Sequence, residues 1–265
     1  GAGYFVWLSA VNVFATTLFW MAVVERFSTA QGRRLFGLIG VGGTVGAILG
    51  SLTARPLSAL PPHVVVLVGV AVLEVGVLAF ARMVRACAAM AADGASALAV
   101  VPVARAGTFE GMRRFVRSPY LWGIGVYMLL LGALATAHYY QQNLIVAAVL
   151  PDRSAREDAF ALMNLLGNTL VLAIQLFFTG RILMVAGVGL VLCMLPILNA
   201  LGLSALAAAP SLLTLYVVDM TRRGAQFALD KPAREVLYTP LSLEEKHKSK
   251  PFLDMLYAHA RRPEY

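Results

Sequence analysis

The stretch from Val64 to Ala81, VVVLVGVAVLEVGVLAFA, decides the fold class, because Glu74 is its only ionisable residue. An apolar helix of about 20 residues spans the hydrocarbon core of a bilayer. The whole chain has the same character: 59% of its 265 residues are hydrophobic and only 14% are charged. A soluble domain has about 25% charged residues, because its surface faces water. The composition therefore predicts an all-α, polytopic membrane protein.

Seven apolar segments, separated by polar breaks, are predicted to be helical. They are Tyr4–Val24, Phe36–Ala54, Val64–Ala81, Tyr120–Ala147, Ala159–Phe178, Ile182–Leu201 and Ser211–Tyr238. The seventh is apolar for only two turns before charged residues begin. The longest break, 82–118, is basic and contains a predicted short amphipathic helix at Thr108–Arg117, which either lies on the inner leaflet or is solvated.

Lysine and arginine are distributed unevenly over the breaks. One set of alternate breaks, including 82–118, holds most of them, whereas the other set holds only Arg55, Arg153 and Arg156. Cytoplasmic loops are rich in Lys and Arg, so 82–118 is predicted to be cytoplasmic in a multi-pass protein of the cell (inner) membrane. The basic residues do not form one face, and the net charge of +8 therefore does not predict nucleic-acid binding.

This orientation requires an odd number of helices before residue 1 if the whole protein starts inside. Three such helices would make the visible ones helices four to ten of twelve, and 82–118 would join two six-helix halves. The predicted organisation is the end of an N-terminal half at 1–81, a linker at 82–118 and the start of a C-terminal half at 119–265. The chain is thus expected to be a fragment lacking about three N-terminal and two C-terminal helices.

Two blocks of sequence carry a family resemblance. The first comprises YFVWLSAVNVFATTLFW at Tyr4–Trp20 and STAQGRRLFGLIGVGGTVGAILG at Ser28–Gly50, and the second is RRGAQFALDKPAREVLYTPLSLEEKHKSKPFLD at Arg222–Asp254. They resemble the nucleotide (ATP/ADP) translocase-like branch of the major facilitator superfamily. The resemblance implies a facilitator-type helical bundle and transport of a nucleotide or another anion. The nucleotide exchangers of that branch are expected to use charged residues on several helices, whereas Ala159–Phe178 carries none here.

The seventh segment places charges at membrane depth. At the α-helical period, Tyr216, Asp219, Arg223, Gln226 and Asp230 lie on one stripe. Asp219 and Arg223 are four residues apart and can pair along the helix. Such a stripe would be costly in lipid, so it is predicted to line water. Arg222, beside the stripe, and Arg223 are candidate ligands for an anionic group. The alternative is a structural ion pair that locks two helices together.

Uncharged polar residues form further stripes on other segments. Asn164, Asn168 and Gln175 share one face; Tyr127, His138 and Gln142 share another; and Ser9, Asn12 and Thr16 share a third. Together they predict a polar central cavity, although amide side chains also join helices in membranes. The predicted substrate-binding set is Tyr216, Asp219, Arg222, Arg223, Gln226, Asn164, Asn168 and Gln142. Separately, Gly42, Gly46 and Gly50 form a small-residue ridge that is predicted to pack against another helix.

A second set of residues is predicted to act in gating or coupling: Glu25, Arg26, Asp230, Lys231, Arg234, Glu235, Glu74 and His138. Lys231, Arg234 and Glu235 follow the stripe near the inner end, where Pro232 should interrupt the helical hydrogen bonds. Glu25 and Arg26 are either their counterparts or ordinary interfacial charges. His138 is either a proton-coupling site or a hydrogen-bonded interfacial residue. Glu74 is a protonated acid, a partner for a basic residue or a proton site.

These features predict a secondary active transporter or exchanger of a small anionic solute that works by alternating access. The alternative is a transport-dead membrane scaffold or sensor with the same fold. An intramembrane enzyme is disfavoured because the sequence has no catalytic grouping, and a channel because it has no repeated selectivity filter. The expected partners are the lipid bilayer and a small anion, with protons as a candidate coupling ion. No enzyme activity, cofactor, metal or nucleic acid is expected.

Overall fold

The described residues of the computed structural model are 2–58, 60–93, 118–241 and 249–255, and among them there are helices and turns but no strand. Ten helical elements follow one another: α1 Ala2–Arg26, α2 Thr29–Ser58, α3 Pro62–Asp93, α4 Pro119–Val149, α5 Arg153–Phe177, α6 Thr179–Val185, α7 Gly187–Ala208, α8 Leu212–Arg223, a π-helical segment Gly224–Asp230 and α9 Lys231–Tyr238. Residues 249–255 are also helical. We refer to α8, the π-helical segment and α9 together as the composite helix.

Five helical segments in the described part of the chain are long and apolar enough to cross a membrane. They are Thr29–Thr53, His63–Met83, Pro119–Val149, Arg153–Phe177 and Gly187–Ala208. The chain is therefore an α-helical, multi-pass membrane protein. The composite helix is not among the five, and its charged residues explain why.

Several predicted boundaries are wrong. The second helix begins at Thr29 and not at Phe36. The third helix does not end at Ala81 but continues to Asp93, because residues 82–93 are rich in the strong helix formers Ala and Met. The fifth begins at Arg153, ahead of the apolar run. The predicted Ile182–Leu201 helix is two helices, separated where Gly187 adopts a φ of 78°, a conformation that favours glycine. The predicted helix at Thr108–Arg117 lies outside the described residues.

Two compact units divide the chain. One contains α1, α2 as far as Ile48, and every described residue from 118 onward. The other begins at Leu49 and contains the end of α2 and all of α3. Residues 66–79 of α3, which include Glu74, lie exposed on the surface of the described structure. The predicted halves, with their boundary in the 82–118 linker, stay a prediction.

The first unit is organised around the composite helix. Its whole length contacts α7, its α8 and π-helical parts contact α5, and α1 and α4 contact it at particular points. Its largest apolar core joins Trp20 and Phe36, from α1 and α2, to Val236 and Tyr238 of α9. The Trp20 and Phe36 rings meet edge to face, with their centroids 5.8 Å apart. This core fixes α1 and the start of α2 against α9.

Two glycines allow α2 to approach α6 closely. A Cβ atom at Gly37 would lie 2.5 Å from Thr179 Cγ2, and one at Gly180 would lie 3.1 Å from the Arg34 carbonyl oxygen. By contrast, no described atom lies within 4 Å of a Cβ at Gly42, Gly46 or Gly50. The prediction that this ridge packs is wrong for the described structure. The close helix contact lies toward the beginning of α2, where Gly37 of α2 and Gly180 of α6 face the opposite helix.

Candidate functional site

The predicted interruption at Pro232 takes the form of the π-helical segment. Proline has no N–H, so the carbonyl groups of the preceding turn lose a donor. The N–H of Lys231 donates five residues back, to Gln226 O. Side chains from neighbouring helices donate to the next two carbonyls: Gln175 Nε2 to Phe227 O at 3.2 Å, and Thr179 Oγ1 to Ala228 O at 2.7 Å. The π turn is therefore held by α5 and α6, and such turns are frequent at functional sites.

We expect Thr179→Val to lower the free energy of unfolding by about 1 kcal/mol, because Ala228 O loses a buried donor. Adding Pro232→Ala to the Thr179→Val variant supplies a backbone N–H and should recover part of this loss. Thr169→Val is the control, since Thr169 is exposed and its hydroxyl donates within its own helix, to Leu165 O. Denaturant unfolding in detergent measures all three. Equal losses for the Thr179 and Thr169 variants would contradict the proposed role of Thr179.

Asp219 is the centre of the first charged cluster. Its side chain is 0% exposed and accepts from Arg223 Nε at 2.5 Å and from Arg222 Nη2 at 3.0 Å. His138 Nε2 of α4 lies 3.3 Å from Asp219 Oδ1. Arg222 also donates to Gln226 Oε1 at 2.8 Å. The predicted pairing of Asp219 with Arg223 is thus confirmed, and the carboxylate holds two cations that would otherwise repel each other.

Asp230 forms a second contact between the composite helix and α4. It accepts from Arg234 Nε at 2.8 Å and from the Tyr127 hydroxyl. Asp219 and Asp230 are eleven residues apart, and so are their α4 partners, His138 and Tyr127, in the opposite order. Eleven residues correspond to about three helical turns. The two antiparallel helices are therefore joined at two points along one face.

A third cluster lies at the end of α9. Lys250 Nζ contacts Glu235 Oε2 at 2.8 Å and Asp254 Oδ2 at 3.3 Å, and it lies 4.6 Å from the centroid of the Tyr238 ring. Thr17 of α1 donates to Asp254 at 2.9 Å. Burial lowers the pKa of Lys250, but the two carboxylates outweigh it and raise that pKa above the usual value. The lysine is therefore charged, and the cluster connects α1, α9 and the 249–255 helix.

A cavity of about 340 Å³ lies between α1, α2, α5 and the composite helix. Its wall includes Trp20, Gly43, Thr44, Asn168, Gln175, Arg223, Phe227 and Lys231. Thr44 donates to Gln175 Oε1 at 2.7 Å, so the polar wall also joins α2 to α5. A Cβ at Gly167 would lie 2.8 Å from Arg223 Cδ, and this glycine therefore makes room for the arginine beside α5. Lys231 Nζ lies 5.9 Å from the centroid of the Trp20 ring.

The structure brings three of the predicted site residues to the cavity: Asn168, Arg223 and Lys231. Other predicted residues are in the charged clusters instead: Asp219, Arg222, Gln226, His138, Asp230, Arg234 and Glu235. Gln142 donates to Met163 Sδ at 3.4 Å, and Tyr216 donates to Ala159 O at 3.2 Å. Asn164 is half-buried outside the cavity wall.

The remaining predicted residues are on α1 and α3. Glu25 and Arg26 are half-buried at the end of α1, where Arg26 donates to Ala22 O at 2.7 Å. Glu74 is exposed on α3. Of the predicted α1 stripe, Thr16 is exposed, while Ser9 and Asn12 lie outside the side chains that the structure describes.

Several residues of the site were not predicted. The cavity wall on α2 is formed by Gly40, Gly43, Thr44 and Ala47, which follow the spacing of one helix face. A small residue or threonine at every such position is a signal that could have identified this wall. Trp20 and Phe227 resemble ordinary core residues in the sequence. Lys250 and Asp254 follow the polar stretch 242–248 of the sequence, and no apolar pattern predicts their position.

The cavity can hold a small anion, because it presents an arginine and a lysine while no carboxylate lines it among the described residues. Arginine offers a planar fork of donors and lysine a compact charge, and both suit carboxylate or phosphate groups. The amide and hydroxyl groups of Asn168, Gln175 and Thr44 add neutral hydrogen-bonding capacity. Comparison with protein-family models, with curated proteins and with solved structures finds no match to this chain.

Proposed function

We propose that the chain belongs to a secondary active transporter or exchanger of a small anionic solute, with nucleotides among the candidate substrates. In this proposal it has a major-facilitator architecture in the cell inner membrane, and 82–118 is the cytoplasmic linker between two halves. One observation carries the proposal: Arg223 and Lys231 line a cavity whose described wall contains no carboxylate. Cations at membrane depth are costly, and a water-filled substrate site is a common reason for their presence.

Asp219 prepares Arg223 to bind the solute. It engages Nε of the guanidinium, and no described residue accepts a hydrogen bond from the two terminal nitrogens. Those nitrogens carry the donors that form a two-pronged contact with a carboxylate or phosphate. Because Asp219 is itself fixed by Arg222 and His138, the arginine is held in place before the solute arrives.

Packing around the cavity supports alternating access. On one side of the cavity, α2 approaches α6 closely at Gly37 and Gly180, and the Lys250 cluster connects α1 to the 249–255 helix. Farther along α2, Gly42 and Gly46 meet no described atom within 4 Å. The close approach of α2 to α6 and the Lys250 cluster thus both lie at the end that the Lys and Arg distribution predicts to be inside. Breaking them would open the cavity to the cytoplasm.

Uptake and counter-exchange in proteoliposomes that hold the complete protein test the proposal. We expect Arg223→Ala to lower the uptake of the transported anion at least about tenfold, because a charge-assisted hydrogen bond in a buried site is lost. Arg153→Ala is the control, since Arg153 is exposed and its one ion pair among the described residues is with Glu157, and its uptake should equal that of the parent protein. Equal uptake by the two variants would contradict a binding role for Arg223.

A transport-dead scaffold or sensor is the second candidate. It is favoured by one observation: the charged clusters pair largely within the chain, and such pairs also lock helices together without any solute. Folded protein that moves no organic anion in the uptake experiment would support this candidate over the transporter.

A further inference from the structure

Three arginines lie together at one end of the first unit, where α2 approaches α6. Arg33 and Arg34 are in the second turn of α2, and Arg181 is in α6. A Cβ atom at Gly180 would lie 3.1 Å from the Arg34 carbonyl oxygen and 3.7 Å from the Arg34 Cα. Consecutive Cα atoms are about 3.8 Å apart, so the Cα atoms of Arg34 and Arg181 are within about 9 Å of each other. Two arginine side chains at this spacing can reach one phosphate group.

These arginines have no acidic partner in the described part of the chain. None of the three forms an ion pair with a described residue. Arg34 and Arg181 are exposed, whereas Arg33 is half-buried. Arg33 lies one turn before Gly37 and therefore on the face of α2 that meets α6. Its Nε is buried and has no hydrogen-bond partner among the described residues. A buried donor without a partner is rare, and a bound anion is one explanation for it.

The three arginines lie at the level of a membrane surface. Arg33 and Arg34 are near the beginning of the membrane-spanning segment Thr29–Thr53, and Arg181 lies in α6, between the spanning helices α5 and α7. The Lys and Arg distribution predicts that both positions are on the cytoplasmic side. Acidic lipids attract basic groups at that surface, and basic pockets between membrane helices bind their headgroups.

Exposed apolar side chains lie next to the arginines on the same elements. Leu38 follows Arg34 by one turn of α2, so the two share a face, and both are exposed. Phe178, which is also exposed, directly precedes α6 and lies three residues before Arg181. Both apolar residues are on the bilayer side of the arginines along their helices. The junction therefore offers cations to a headgroup and an apolar surface to acyl chains.

We propose that the junction of α2 and α6 binds an acidic phospholipid. Arg34 and Arg181 hold its phosphate, the Nε of Arg33 donates to the same group, and an acyl chain covers Leu38 and Phe178. The planar guanidinium suits this role because it can donate to two phosphate oxygens at once. Inorganic phosphate has the same anionic chemistry but leaves the apolar residues uncovered, which favours a lipid. The proposal does not depend on which solute the cavity takes.

Native mass spectrometry of the complete protein in detergent counts the bound lipids directly. The probes are dioleoylphosphatidylglycerol, which is anionic, and dioleoylphosphatidylcholine, which is zwitterionic. We expect the parent protein to bind the anionic lipid at least about tenfold more tightly, and a variant with Arg34→Gln and Arg181→Gln to lose most of that preference. Both residues are exposed, so this variant should fold, which size-exclusion chromatography checks.

A matched control removes two positive charges elsewhere. Arg153→Gln with Arg156→Gln changes the first turn of α5, at the opposite end of that helix from α6. This control should keep the lipid preference of the parent protein. Equal loss of preference in the two double variants, or no preference in the parent protein, would overturn the proposal.

Two further measurements separate a built lipid site from other anion binding. Arg34→Lys with Arg181→Lys keeps the charge but removes the planar fork, so the anionic lipid should bind at least about threefold more weakly. Affinity equal to that of the parent protein would show that charge alone attracts the lipid and would contradict the site. Inorganic phosphate should displace the lipid only in large excess. Displacement at a concentration comparable to that of the lipid would identify a site for a free anion and overturn the lipid assignment.

Discussion

Asp219→Ala is expected to lower the free energy of unfolding by about 3–5 kcal/mol, because it leaves buried arginines without their carboxylate. Asp219 is fully buried and bonds Arg222, Arg223 and His138 at once. Its removal thus brings two neighbouring guanidinium groups together with no carboxylate between them. Thermal and denaturant unfolding of the purified protein in detergent measures the loss, and ligand binding at Arg223 should decline with it.

Glu157→Ala is a matched control. Glu157 accepts from Arg153 at 2.9 Å, and the two are four residues apart, as Asp219 and Arg223 are. The difference is burial, since the Arg153 and Glu157 side chains are 90% and 66% exposed. An exposed pair of this kind contributes at most about 1 kcal/mol. If Asp219→Ala costs no more than Glu157→Ala, Asp219 is not the buried centre that we describe.

Gly37→Ala is expected to destabilise the protein by about 1–3 kcal/mol through overpacking. The new Cβ would lie 2.5 Å from Thr179 Cγ2 and 2.7 Å from Thr179 Cβ, so α2 and α6 must move apart. The same displacement would strain the hydrogen bond from Thr179 to Ala228 O in the π-helical segment. Adding Thr179→Ser removes one of the clashing atoms and keeps the hydroxyl, so it should recover part of the loss.

Gly42→Ala on the same helix should raise the free energy of unfolding instead of lowering it. A Cβ there meets no described atom within 4 Å, and alanine is favoured over glycine in a helix by about 1 kcal/mol. Both substitutions change helix propensity alike, so the difference between the two variants in free energy of unfolding measures the helix contact at Gly37. Stabilisation by both substitutions would contradict the close approach at Gly37.

The presence of the apolar helices and the stripe on the composite helix can be predicted from the sequence, because both depend on local periodicity, whereas several helix ends and the division at Gly187 cannot. Asp219, Arg223, Gln226 and Asp230 were assigned to one face, and all of them pack toward the protein. The π-helical segment could not be predicted. It depends on donors from Gln175 and Thr179, and nothing in the local pattern shows that these side chains lie beside the carbonyls of Phe227 and Ala228.

Helix partners were predicted less well than helices. In a chain where most residues are apolar, hydrophobicity does not show which face meets protein. Gly42 and Gly46 follow the packing motif more closely than Gly37 does, yet only Gly37 has a close partner among the three. Lys250 and Asp254 were missed for a different reason, because an ion pair that joins distant segments leaves no periodic pattern in either one.

The two acidic contacts between α4 and the composite helix restrict how these helices can move. A helix attached at one point can pivot or slide, but the bonds at Asp219 and Asp230, about three turns apart, oppose both motions. Sliding by one turn would break both contacts with α4 and leave Asp219 and Asp230 with only the arginines of their own helix as described partners. The two helices should therefore move as one rigid unit.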